Sequence, residues 1–232
     1  MKTIGMIGGM SWESSLEYYR FLNQMVKKRL GGLHSARCLM YSVDFAEIEI
    51  LQHQDRWDEA TELMVDAAGR VERGGADFLI ICTNTMHLMA DDVQKSIGIP
   101  LIHIADAAAG RIKSMGLTRV GLLGTRFTME QDFYKERLSS RHGIEVVVPD
   151  EEGKQTVHDV IYNELCLGVL EETSRSRFQK IIAEMGGRGA QGVILGCTEI
   201  PLLISAEDTD LPIFDTTAIH AEAAVDYALG QG

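Results

Sequence analysis

The chain has 232 residues, 45% apolar and 24% charged, with 22 Lys and Arg against 34 Asp and Glu for a net charge of −12. This composition can fill a core and excludes a mainly disordered chain. The acidic balance argues against a nucleic-acid binder that works by neutralising phosphates. No apolar run approaches the roughly 18–20 residues that span a bilayer. The glycine-broken stretch after Met1-Lys2-Thr3 does not read as a signal peptide.

In chain order, a glycine-rich apolar run at 4–9 reads as a strand, and helical spacing follows over 14–30 with Leu16, Tyr19, Leu22 and Val26 on one face. A helix is expected over 61–73 and a strand over 75–81, with another short apolar run at 99–102. The pattern then starts again: a strand at 120–125, helices over 129–141 and 175–185, and strands at 189–195 and 211–214. Short apolar runs bounded by Gly or Pro are the pattern of buried parallel strands. Strands alternating with helices imply an α/β fold of parallel sheets flanked by helices.

The runs repeat. Ile4-Gly5-Met6-Ile7-Gly8-Gly9 matches Val120-Gly121-Leu122-Leu123-Gly124-Thr125, 116 positions later. The run from Gly75 to Ile81 matches that from Gly189 to Leu195, and Ile99-Pro100-Leu101-Ile102 matches Leu211-Pro212-Ile213-Phe214. Three matches in one order at nearly constant offset point to a duplication and two similar α/β lobes. Ligands in such folds bind beyond the C-terminal ends of the strands, so a cleft shared by the lobes and a pseudo-two-fold axis are expected. The duplication sets Thr83-Asn84-Thr85 over Cys197-Thr198-Glu199, and Gly9-Met10-Ser11 over Thr125-Arg126-Phe127.

Cys197 is the leading candidate for chemistry. It follows an expected buried strand and precedes an expected helix, whose N-terminal partial charge would lower the thiol pKa. The other reading is a buried structural cysteine. Cys82 is expected to pack within its own lobe, and Cys38 and Cys166 read as packing residues. No Cys-x-x-Cys pair occurs, and the cysteine usage suggests a reducing, cytoplasmic setting. Thr85, Thr198 and Asn84 are short polar groups suited to a carboxylate ligand, although each alone is an ordinary helix cap. His87 lies one turn beyond Thr83 and either faces the site or serves as a packing or hydrogen-bonding group. The loop around Gln52 and His53 could reach the site.

At these residues the chain resembles the aspartate/glutamate racemases. Ile7-Gly8-Gly9-Met10-Ser11 with Glu13-Ser14 and Tyr18-Tyr19 resembles the family's opening segment. Asn84-Thr85-Met86-His87 and Gly196-Cys197-Thr198-Glu199 resemble its two catalytic segments, and the likeness covers essentially the whole chain. The pattern is nearest to racemases specific for L-aspartate and L-glutamate. The resemblance implies proton removal and return at Cα by two groups on opposite faces of the substrate, with no cofactor and no metal. It implies a homodimer, while the charge balance and the short apolar runs lead to an expectation of no nucleic-acid and no membrane partner. It also implies lobes that exchange strands, giving 1–98 plus 213–232 as the first and 99–212 as the second.

By resemblance Cys197 and Thr83 are the catalytic pair, and Met10, Gln52, Asn84, Thr85, Thr198 and Glu199 contact substrate. Thr83 departs from the family's second cysteine. A hydroxyl is a far poorer base than a thiol of pKa near 8.5, so proton removal from the Cys197 side should dominate and L substrates should react preferentially. The cation for a side-chain carboxylate is not evident; Arg175 or Lys154 could supply it or form surface ion pairs. Two other readings stay open. One is a single-cysteine decarboxylase or isomerase of the same superfamily, revealed by CO₂ release from a disubstituted malonate. The other is a non-catalytic amino-acid-binding protein, revealed by binding without proton exchange.

Overall fold

A computed structural model describes residues 1–230. The chain forms two compact units: Met1–Ile104 together with the segment from His220 onward, and Ala105–Ile219.

The first unit holds β1 (Ile4–Gly8), α1 (Trp12–Leu30), β2 (Cys38–Ser42), α2 (Phe45–His53), α3 (Trp57–Arg73), β3 (Phe78–Ile81), a 3-10 turn (Thr85–Met89) and α4 (Ala90–Ser96). α5 (Ile104–Ser114) leads into the second unit. There follow β4 (Arg119–Leu123), α6 (Arg126–Glu130), α7 (Asp132–Glu136), a π turn (Arg137–Arg141), β5 (Glu145–Val147) and α8 (Glu151–Asn163). A 3-10 turn (Leu165–Leu167), α9 (Glu172–Gly187), β6 (Val193–Leu195), α10 (Ile200–Leu203), a 3-10 turn (Ala206–Asp208) and β7 (Ile213–Asp215) complete it. α11 (Thr216–Leu229) starts in the second unit and from His220 belongs to the first.

All strand pairs are parallel, in the orders β2-β1-β3 and β5-β4-β6-β7. Leu101 makes a parallel bridge to Leu79 of β3, the place that β7 takes beside β6. The matching prolines make the correspondence chemical. Leu79 N–H donates to the Pro100 carbonyl at 2.9 Å, and Val193 N–H to the Pro212 carbonyl at 2.8 Å. The duplication read from sequence is therefore a repeat of strand order.

The expected exchange of strands does not occur. Those hydrogen bonds hold the 99–102 run on the first sheet and β7 on the second. The division falls after Ile104 and Ile219 instead of after residues 98 and 212. Only the segment from His220 onward returns to the first unit.

The first sheet is covered on both faces, as parallel sheets require. Ile4, Met6, Phe78 and Ile80 pack with Tyr18, Leu22 and Val26 of α1 and with Ala221, Ala224, Val225 and Ala228 of α11. Ile7, Leu79 and Ile81 pack with Met64, Ala67, Ala68 and Val71 of α3. In the second unit Leu123, Val193 and Leu195 pack with Val157, Val160 and Ile161 of α8 and Phe178, Ile182 and Met185 of α9. Burying each such large side chain contributes roughly 1.5–3 kcal/mol.

Two helices differ from expectation. In α1 the buried stripe is Ser14, Ser15, Tyr18, Leu22 and Val26, whereas Leu16 and Tyr19 are about half exposed at 54% and 50%. The serines go inside because they bond backbone: Ser14 Oγ donates to the Cys82 carbonyl and Ser15 Oγ accepts from Gly9 N–H, both at 2.8 Å. The single helix expected over 129–141 is broken at Gln131, whose ψ of 150° is extended. The chain then restarts as α7 and ends in the π turn.

Candidate active site

In the first unit β1 and β3 run parallel and adjacent, so Gly9-Met10-Ser11 and Thr83-Asn84-Thr85 leave the same edge of the sheet. Gly9 has φ +94°, and a Cβ there would lie 2.2 Å from the Val43 carbonyl oxygen, so only glycine fits this turn. Ser11 caps α1, its hydroxyl accepting from Ser14 N–H at 3.3 Å. Met10 is buried in the cluster that contains Met86. Gln52 is buried too, and its Nε2 donates to Met86 Sδ at 3.1 Å. Thr83 and Thr85 are partly exposed, while Asn84 is buried.

His87 faces inward. Its Nδ1 donates to the Thr83 carbonyl at 2.7 Å, and its Nε2 accepts from Ile104 N–H at 3.2 Å. Its ring lies 4.6 Å from that of His103 and 5.6 Å from that of His220. His220 Nε2 donates to the Ile102 carbonyl, leaving Nδ1 to accept from Tyr18 Oη, each at 2.8 Å. Burial holds the His220 pKa down at about 4, the bond to the Ile102 carbonyl opposing it. Sequence reading missed His103, His220 and Tyr18 as partners of this segment. The only signal was polar imidazoles inside apolar runs, Leu101-Ile102-His103-Ile104 and Ala218-Ile219-His220-Ala221.

In the second unit β4 and β6 are likewise adjacent and parallel. Gly196 N–H donates to the Leu123 carbonyl at 2.6 Å, which sets the turn carrying Cys197, Thr198 and Glu199. Cys197 Sγ donates to Glu199 Oε2 at 2.8 Å, and Thr198 Oγ1 donates to the same oxygen at 2.7 Å. The expected lowering of the Cys197 pKa is not found. Burial first, then the Glu199 charge and its hydrogen bond, push the thiol well up. The helix that follows has only four residues, too little aligned backbone to oppose them.

Glu199 therefore sits against the sulfur and the Thr198 hydroxyl. A carboxylate in that place is a poor contact for an anionic ligand, and a ready proton acceptor for a thiol. Thr125, at the end of β4, caps α6. Arg126 begins that helix and pairs with Glu130 at 2.8 Å and Glu151 at 3.2 Å; the duplication had set it over Met10 without marking it as a cation of the second unit's strand edge.

Cys82 is fully buried, with its thiol pushed up by burial. Cys38 is partly buried against the same cluster. Cys166 is exposed instead of packed, because the 3-10 turn that carries it lies at the surface. His53 ends α2 as an exposed partner of Glu49 at 3.1 Å. Arg175 donates to the Leu203 carbonyl and pairs with Asp208 at 3.2 Å, and Lys154 pairs with Glu151 and Glu130, so both form structural ion pairs. Among the described residues no group of three or more His, Cys, Asp or Glu is arranged to hold a metal ion, and no helix is long and apolar enough to cross a membrane.

Comparison with known proteins bears on the family and the fold. A structure from Yersinia pestis, provisionally described as an Asp/Glu racemase, superposes with a TM-score of 0.94 at 55% identity, covering 99% of this chain and 100% of that one. An aspartate racemase homologue from Pyrococcus horikoshii superposes with a TM-score of 0.87 at 36% identity, covering 99% and 100%. The broad-specificity amino-acid racemase of Bacillus subtilis is 26% identical over 168 residues, 72% of each chain. The family model for Asp/Glu/Hydantoin racemases matches residues 7–224. With two parallel α/β sheets and a cysteine paired to a carboxylate beyond one of them, the chain belongs to the Asp/Glu/Hydantoin racemase family of isomerases.

Proposed function

We propose that the protein racemises acidic amino acids, L-aspartate and L-glutamate, without a cofactor, and that Cys197 and Thr83 attend opposite faces of the substrate Cα. The observation that carries this reading is the 2.8 Å hydrogen bond from Cys197 Sγ to Glu199 Oε2. Glu199 takes the thiol proton, and the thiolate removes the Cα proton of the L isomer. The carbanion then accepts a proton delivered through the Thr83 hydroxyl, which is refilled from water, and Glu199 returns the original thiol proton to solvent, so that the site is reset. No electron is gained or lost. This is two-sided general acid–base chemistry.

Glu199, expected from resemblance to contact substrate, is assigned here to the sulfur, because its oxygen already accepts from Cys197 and Thr198. Asn84, Thr85 and the Thr198 backbone remain the proposed carboxylate contacts, and Met10 and Gln52 the proposed wall. Thr83 is a poorer base than Cys197 even with the thiol raised, because an aliphatic hydroxyl ionises far above the range of thiols. Cα-proton exchange is therefore asymmetric and favours L substrates. A homodimer and a cytoplasmic setting complete the proposal; sedimentation velocity checks the dimer.

The test is proton NMR in D₂O with L-Asp, L-Glu, D-Asp and D-Glu in separate samples, each followed by chiral analysis. Loss of the Cα proton, faster from L than from D, together with appearance of the opposite enantiomer, supports the reading. No exchange with any of the four, or equal rates of Cα-proton loss from both isomers, overturns it. The Bacillus subtilis relative has broad specificity, which favours a second reading with non-acidic amino acids among the substrates. Adding L-Ala, L-Leu and L-Arg to the series separates the two.

A further inference from the structure

Thr83 is held from both sides by side chains. On one side Ser14 Oγ, buried in α1, donates to the Cys82 carbonyl at 2.8 Å. On the other, His87 Nδ1 donates to the Thr83 carbonyl at 2.7 Å. These two carbonyls belong to the peptide planes that flank Thr83. Fixing both planes fixes its φ and its ψ. Cys82 N–H is pinned as well, donating to the Ile7 carbonyl of β1 at 2.9 Å. His87 is itself anchored by Ile104 N–H on its second nitrogen, so the ring cannot turn without losing a bond.

Threonine is β-branched, and few χ1 rotamers are open to it once the backbone is set. A clamp on the two peptide planes is thus a clamp on the direction of the Thr83 hydroxyl. A weak proton donor gains most from such fixing, because misplacement by about 1 Å can cost a hundredfold in rate.

We propose that Ser14 and His87 are positioning residues that aim the Thr83 hydroxyl for proton return, and that they govern inversion without governing proton removal. The proposal rests on the reading of Thr83 given above. In that reading Cys197 removes the Cα proton of an L substrate. The carbanion is then reprotonated on the same side, giving exchange with retention once the thiol proton has been swapped for solvent deuterium through Glu199, or from the Thr83 side, giving inversion. Loosening Thr83 lowers only the second.

The experiment measures both rates in D₂O from L-Asp and L-Glu, by loss of the Cα proton signal and by chiral analysis, on the full chain. His87→Gln moves the amide away from the Nδ1 position, and Ser14→Ala removes the other clamp. Each is expected to lower the ratio of inversion to retention by about tenfold, with proton loss little changed. His87→Asn puts an amide N–H where Nδ1 lies and is expected to restore the ratio. Tyr18→Phe, which disturbs the same buried histidine cluster without touching Thr83, is expected to leave the ratio at its original value.

A fall of both rates in step, or an unchanged ratio in His87→Gln and Ser14→Ala, overturns the clamp while leaving the racemase reading standing. If His87→Gln fails to fold, Ser14→Ala decides, with His87→Asn as its companion. Absence of any exchange in the unaltered protein removes the role of Thr83 and the clamp with it.

Discussion

Cys197 Sγ and Glu199 Oε2 lie 2.8 Å apart and hold one hydrogen between them. The carboxylate raises the thiol pKa by its charge and its hydrogen bond, and it is also the group that can receive the proton when sulfur acts. The same contact disfavours free thiolate at rest and supplies the acceptor that makes thiolate during turnover.

Glu199→Gln separates those two effects. Removing the charge lowers the Cys197 pKa, so alkylation by iodoacetamide at pH 8 is expected to quicken. Turnover is expected to fall by about a hundredfold, the scale of a lost proton acceptor. Slower alkylation together with undiminished turnover would remove Glu199 from the chemistry. Cys197→Ala is expected to abolish Cα exchange altogether.

Thr83→Cys replaces a poor base with a thiol. The rate of Cα-proton loss from D-Asp and D-Glu relative to L is expected to rise by about tenfold or more. An unchanged D-to-L ratio in a folded variant would place the second proton transfer on another group.

His220 ties stability to pH. Its pKa in the folded protein is about 4, against about 6.5 in an unfolded chain. The unfolded state therefore binds more protons between these values, and stability falls as pH drops from 6.5 to 4. The full difference corresponds to about 3 kcal/mol. Asp106 and Asp208, held below the usual carboxylate range, lose their contributions only at lower pH. Urea midpoints at pH 7, 5.5 and 4 should trace the decline. His220→Gln should be less stable at pH 7 and flatter across that window; an equally steep profile would assign it to other groups.

Gly9→Ala tests the turn after β1. The positive φ and the 2.2 Å approach to the Val43 carbonyl leave no room for a methyl group. A loss of roughly 3 kcal/mol or more is expected, read as a lowered Tm. Gly75→Ala is the comparison: its φ is +96° but nothing lies within 4 Å of the added carbon, so its loss should be smaller.

The sheets were legible because buried parallel strands are written as short apolar runs with fixed punctuation, and the Pro100 and Pro212 carbonyls occupy equivalent places. Cys197, Thr198 and Glu199 were legible as a cluster because they are consecutive. The Cys197 pKa was misread because the length of the following helix and the aim of the Glu199 side chain are tertiary facts. Ser14 and Ser15 were overlooked on α1 because hydrophobicity does not mark a residue buried to serve another segment's backbone. His220 was invisible as a partner of Tyr18, 202 positions away in the chain. Nothing in local pattern connects residues so far apart.

The return of α11 has a consequence for synthesis. Residues 105–219 leave the ribosome as one uninterrupted run and can complete their own sheet. The first unit begins earlier and finishes later. One face of its sheet, with Ile4, Met6, Phe78 and Ile80, awaits Ala221, Ala224, Val225 and Ala228, and Lys2 N–H awaits the Ala228 carbonyl, 2.9 Å away in the finished fold. A nascent chain stalled before His220 thus displays an apolar sheet face that α1 alone covers only in part, the feature by which chaperones and proteases sort unfinished proteins.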